Sequence, residues 1–168
     1  MKNLKNLILA ATCIIVGNFT AQAQSKVAHI NTQELVESMP EMKSAKSELE
    51  KLAKTYETDI QAMATELQNK VKQYDAESTT KTDEENSKRL QEVQSMEQSI
   101  RQYQAQAQQD LQKKEIELLK PITEKAKAAI LKVGSNQGFD YVLDSSQGQG
   151  VIMASGKDLL VAVKTELG

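Results

Sequence analysis

In 168 residues the chain has no tryptophan, two phenylalanines, four tyrosines, one cysteine, one histidine and two prolines. Each scarcity closes a class. With so few rings, a thick globular core built around large aromatic side chains is excluded. A lone His29 with no cysteine or second histidine beside it leaves a zinc site without ligands. A Ser-His-Asp triad would also have to recruit His29, and no strand–turn–helix nucleophile motif supports one. Charge of one sign is missing too: the formal net charge is −2. A nucleic-acid binder wants a basic face, so nucleic acid is not the expected partner.

The one cysteine, Cys13, lies in a segment expected to be removed. "MKNLKN" carries Lys2 and Lys5, "LILAATCIIVG" is an apolar run too short to span a bilayer, and Ala21-Gln22-Ala23 is a small-residue cleavage site. Together these predict a secretory signal peptide over 1–23. Cys13 sits inside the apolar run rather than at its end, where a lipid-attachment cysteine would stand. Cleavage after Ala23 predicts an exported chain with no cysteine and, after loss of two lysines, a net charge of −4.

What is abundant is Gln, Lys, Glu and Ala, the composition of long helices. Apolar residues recur as Met42, Ala45, Leu49, Leu52, Tyr56, Ile60, Met63, Leu67, Val71 and Tyr74, in steps of 3 or 4. This is a narrow seam on one helix face. Ser38 and Glu41 have capping-box spacing before it, and Pro40 sits where a first helical turn tolerates a missing N–H. "STTKT" at 78–82 interrupts the pattern, and Thr82 with Glu85 restarts it as a second capping box. A second seam follows through Leu90, Val93, Met96 or Glu97, Ile100, Tyr103 or Gln104, Ala107, Leu111, Leu118, Ile122, Ala126, Ile130 and Val133. Two seams around a short polar break predict an antiparallel helical hairpin with its tip near 78–82. Pro121 falls inside the return helix and predicts a kink near the base of the arm. Gly138 is placed to end that helix in a left-handed conformation.

The ends read differently. "KVAHIN" alternates as a strand, with Val27 and His29 on one side and Ala28 and Ile30 on the other. "TQELVES" fits a short helix capped by Asn31 or Thr32. "DYVLD" and "GVIMA" are two apolar runs around Gly148 and Gly150, the signature of a β-hairpin. "KDLLVAVKTEL" predicts a C-terminal helix. The Gly148-Gln149-Gly150 triplet lacks the third glycine and following helix of a dinucleotide site and reads as a turn. Glu48 with Lys51 and Glu124 with Lys127 read as ordinary helix-surface pairs. No cofactor, metal or catalytic constellation is expected, and so no enzyme.

The predicted fold class is mainly α with a small β body. The body comprises 24–40 and 137–168, and the helical-hairpin prong 41–136. Three short strands leave two open edges, which invite pairing. Copies of the same sheet closing into a barrel would cover them.

In this order of elements, and in "VAHIN", "LKPITEKAKAAILKVGSNQGFDYVLD" and "GFDYVLDSSQGQGVIMASGKDLLVAVKTEL", the chain resembles the Skp/OmpH family of periplasmic chaperones. The resemblance implies a homotrimer whose β-barrel body is built from all three chains. It implies three prongs that clamp unfolded outer-membrane β-barrel proteins without ATP, in the periplasm, with the outer-membrane insertion machinery as a further partner. Val27, Ile30, Val142, Leu143, Val151 and Ile152 would form the trimer body. Ala62, Met63, Leu67, Val93, Met96, Ala105 and Ala107 would face the client. Basic members of the family use charge on clients and lipopolysaccharide. Here Lys81, Lys88 and Arg89 near the tip are offset by Asp75, Glu77, Asp83, Glu84 and Glu85, which argues against lipopolysaccharide or membrane binding. The rival reading is a structural coiled-coil spacer or adaptor of the envelope.

Overall fold

The computed structural model describes residues 25–168; the expected leader, 1–23, lies outside the described residues. The fold is mainly helical with one three-stranded sheet. In chain order the elements are β1 (Val27–Ile30), α1 (Thr32–Ser38), α2 (Pro40–Glu77), a 3₁₀ turn (Ser78–Thr80), α3 (Asp83–Asn136), β2 (Tyr141–Asp144), β3 (Lys157–Asp158) and α4 (Leu160–Leu167).

The hairpin follows the two seams. α2 has 38 residues and α3 has 54, so α2 alone extends to about 57 Å at ~1.5 Å per residue. Thr82 and Glu85 form the expected reciprocal cap of α3. The cap of α2 differs from expectation. Its N-cap is Met39, with no side-chain hydrogen bond, because the Ser38 hydroxyl donates back to the Leu35 carbonyl at 2.7 Å. Pro40 at the first helical position needs no donor partner, so the helix starts without the box. Asn31 caps α1, accepting from the Glu34 N–H at 3.0 Å. Gly138, at φ 71°, follows the end of α3.

The sheet departs from the expected hairpin. β1 is central, in the order β2-β1-β3, and both neighbours run parallel to it. Val27–Ile30 pair with Tyr141–Asp144, and Ala28–His29 with Lys157–Asp158. Gly148 and Gly150 do take left-handed conformations (φ 87° and 85°), so the turn forms. However, 151–156 does not fold back onto β2; the chain runs on to the far edge of β1 instead. The third strand is therefore "KD" rather than "GVIMA", and the C-terminal helix begins at Leu160 rather than Lys157.

Ala28 and Ile30 are buried against Leu35, Met39, Ala45, Ile122, Ala126, Ala129, Val133, Leu159 and Val163. This core holds the sheet on one face only, with the helices behind it. Beyond Ala45 and Leu118 the hairpin has only its own two helices. Pro121 lies opposite Pro40 and Ala45 in a shallow recess, at the base of the arm as expected.

Candidate functional site

Two surfaces stand out: the prong and the uncovered face of the sheet. Along the prong, half-buried seam residues alternate with polar contacts that reach from helix to helix. At the base Lys125 pairs with Glu41 at 2.5 Å, and its hydrogen bond holds the Glu41 carboxyl below the usual carboxylate range. Glu48 reaches across to Lys114 at 2.7 Å, rather than along the helix to Lys51.

Midway, the Tyr56 hydroxyl donates to Asp110 at 3.0 Å and the Tyr103 hydroxyl to Asp59 at 2.7 Å. Both hydrogen bonds to carboxylate push these phenols up from their ordinary value of 10.0. Near the tip, Glu92 accepts from Lys70 and from the Tyr74 hydroxyl, which together lower its carboxyl. The Arg89 guanidinium lies 4.6 Å from the centre of the Tyr74 ring and donates to Glu77 at 2.5 Å. Hydrogen bonds from Gln73, then from Arg89, depress Glu77.

The expected client-facing residues divide into three groups. Ala62 and Ala105 are exposed. Met63, Leu67, Val93 and Met96 are half-buried in the seam between the helices. Ala107 is 4% exposed and so packs inside the hairpin, where a client cannot reach it. Its small side chain lets the helices approach, and the alternation that put it on the seam also removes it from the surface. On the second seam the partly buried member of each alternative is Met96 rather than Glu97, and Tyr103 rather than Gln104.

The expected body residues divide as well. Ile30 is 1% exposed and belongs to the chain's own core, not to a contact surface. Val142 also faces the helices. Val27 (44%), Leu143 (46%) and Tyr141 (59%) lie on the opposite face. A parallel sheet is nearly always covered on both faces, and here, among the described residues, one is bare. Val151 is half-buried, while Ile152 and Met153 stand out fully or nearly so, at 101% and 83%. Sequence reasoning did not single out Tyr141 or Met153. Their place next to the chosen strand residues was the only available signal.

The loop after β2 fastens the sheet to α1. Asp144 accepts from the Thr32 hydroxyl at 2.6 Å, the Ser146 N–H at 2.9 Å and the Thr32 N–H at 3.3 Å. Burial pushes its carboxyl up, but the hydrogen bonds from Ser146 and Thr32 prevail, and the net direction is downward. His29 Nδ1 lies 3.3 Å from Ser145 Oγ. The adjacent Asp144 is turned toward α1, so it does not orient that imidazole. Among the described residues no group of three His, Cys, Asp or Glu side chains could hold a metal ion, and no helix is long and apolar enough to cross a membrane.

A family described as "Outer membrane protein (OmpH-like)" matches residues 26–167. A protein of Photorhabdus laumondii named "Chaperone protein Skp" is 26% identical over 162 residues, covering 95% of this chain and 97% of that one. A protein of the same name from Pectobacterium atrosepticum is 23% identical over 150 residues, covering 89% and 90%. The crystal structure of a protein from Caulobacter crescentus described as an OmpH-like outer membrane chaperone superposes with a TM-score of 0.76. It is 19% identical, with 86% of this chain and 85% of that chain covered, and so shares the fold.

Proposed function

The chain belongs to the OmpH-like family of outer membrane proteins, and we propose from this premise that it is a periplasmic holdase chaperone. In this reading it binds unfolded outer-membrane β-barrel proteins without ATP and releases them to the insertion machinery. Relatives across nearly its whole length are named as Skp chaperones, which supports a chaperone role and no catalysis. Three copies join through their sheets into a closed barrel, and three prongs enclose the client.

The observation that carries the reading is a prong with no other element, among the described residues, along most of its length. A pair of helices that buries only one seam leaves its remaining faces to water or to a client. An unfolded β-barrel strand alternates apolar and polar side chains and cannot satisfy its edges alone. Enclosing it prevents pairing with another client. Exposed Ala62 and Ala105, and the rims of Met63, Leu67, Val93 and Met96, offer many weak contacts rather than one strong pocket. With a net charge of −4 after leader removal, apolar contact outweighs charge attraction, and screening by salt acts chiefly on the latter.

The test is dilution of an unfolded outer-membrane barrel protein from urea, with and without this protein, at several salt concentrations. The expected result is suppressed aggregation that persists at moderate salt. No protection at any salt overturns the holdase reading and leaves an envelope spacer. Protection that disappears at moderate salt overturns the apolar mode of binding.

A further inference from the structure

The seam between the two prong helices runs out before the tip does. On α2 its last large members are Val71 and Tyr74, and the next seam position is Ser78. On α3 the seam enters at Leu90, with Asn86 one turn before it. The Asn86 side-chain amide donates to the Ser78 carbonyl at 2.9 Å and closes that end with a polar contact. Leu90 therefore has no apolar partner towards the tip and is 59% exposed. Between the helices here lies a cleft of ≈ 310 Å³, walled by Val71, Tyr74, Leu90 and Val93, with the exposed Asp75 beside them. Ligand-sized sites begin at about 300 Å³, so this one takes a side chain or two rather than a folded surface.

The charge at the cleft has one sign. Glu77, Glu84, Glu85 and Glu92 each have a cation, in Arg89, Lys88, Lys81 and Lys70. Among the described residues Asp75 has none. Asp83 also lacks one, but it stands in the first turn of α3, where a helix N-terminus favours its charge. Arg89 borders the cleft too. Its Nη2 is bound to Glu77, its guanidinium lies over the Tyr74 ring, and its Nη1 is buried without a partner, out of reach of an incoming acceptor. The charge left for a ligand is Asp75. An apolar side chain in the cleft would desolvate that carboxylate without pairing it. An acidic one would set like charges together. A lysine or arginine does neither. Its aliphatic stem covers the apolar wall while its head stays at the wet rim.

We propose that the tip cleft is a docking site for a basic side chain of an unfolded client. The stem lies on Val71, Leu90 and Val93, and the cationic head pairs with Asp75. This rests on the holdase reading and gives the tip a preference that the rest of the prong lacks. It is one ion pair among many apolar contacts, so holding of a whole client stays tolerant of salt.

The experiment uses the full chain from Gln24. Two short Gly/Ser peptides serve as probes, one with Leu-Lys-Leu at its centre and one with Leu-Glu-Leu. Each is titrated in while NMR follows the methyl groups of Leu90 and Val93. An exposed ion pair changes affinity by at most about fivefold, so the lysine peptide should bind about threefold tighter than the glutamate peptide. Asp75→Asn should abolish that difference and Asp75→Lys should invert it, with helix content unchanged. Leu90→Ser should weaken the lysine peptide without moving the preference. Equal binding of the two peptides, a preference that survives Asp75→Asn, or Leu90 and Val93 methyls that do not respond overturns the inference. So does an Asp75→Asn effect on mass by light scattering with none on the peptides, which would make a second copy the occupant. Protection of an unfolded barrel protein is measured on the same samples. Protection with no lysine preference overturns the docking site alone, and a lysine preference with no protection overturns the holdase reading alone.

Discussion

Tyr56 and Tyr103 meet edge to face across the prong, ring centres 5.8 Å apart and planes at 65°. Each hydroxyl donates to a carboxylate on the other helix, Tyr56 to Asp110 and Tyr103 to Asp59. This reciprocal clasp fixes the register of α2 against α3 where no third element helps. Tyr103→Phe should lower the melting temperature more than Tyr56→Phe, because Asp110 keeps a second donor in Gln106 at 2.8 Å. Replacing both by Ala should cost more than replacing both by Phe, since the ring contact goes as well. Thermal melts followed by circular dichroism at 222 nm check the order. The opposite order would mean that the hydroxyls do not set the register.

Acid should loosen the prong. Glu41, Glu77, Glu85 and Glu92 all titrate below the ordinary 4.5 in the folded chain, Glu85 chiefly through the Thr82 backbone N–H. The unfolded chain therefore binds protons first as pH falls. The stabilisation is fully present above about 4.5 and is lost as pH drops through the lowered folded values. Melting temperature should hold from pH 7 to 5 and decline below 4.5. Glu92→Gln should flatten that decline. A melting temperature that is constant to pH 3 would contradict the account.

Gly134 and Val142 should be energetically coupled. Gly134 is buried within α3, and a Cβ there would press on Val142 Cγ2 at 3.0 Å. Alanine in a helix interior is worth about 1 kcal/mol over glycine when it fits. In a Val142→Ala background, Gly134→Ala should recover about that amount. In the parent it should gain less or destabilise. Urea unfolding of the four proteins measures the difference, and equal effects in both backgrounds would show that Val142 yields freely.

The prong should be separable from the assembly. The clasp places Tyr56 and Asp59 level with Asp110 and Tyr103, so the chain can be cut from Thr58 to Ala105 and rejoined by a short turn. On the proposed function, the shortened protein should keep its mass by light scattering and lose protection of an unfolded barrel protein. Retained protection would move the client site to the body.

The sequence by itself determined the elements whose hydrogen bonds are local. Steps of 3 and 4 from Met42 to Tyr74, the break at 78–82 and the Thr82–Glu85 cap specify two helices and their tip. Helical bonds close within four residues, and the seam needs only one partner, the next helix. The alternation in "VAHIN" likewise assigned Ala28 and Ile30 to one face. The same local rules identified Ala107 as a seam residue, though not how completely the facing helix would bury it.

Only the tertiary structure decided how the strands pair. β1 joins β2 and β3 from the far end of the chain, in parallel, and "GVIMA" stays out of the ladder. Nothing in a four-residue strand names its partner. That choice is made by burying Ala28 and Ile30 under Leu35, Leu159 and Val163, which fixes one face and one register at once. A turn at Gly148 and Gly150 permits a hairpin but does not impose one: the chain beyond it runs on to pair with the far edge of β1 at Lys157–Asp158. The bare outer face and the open β2 edge exist only because of that arrangement.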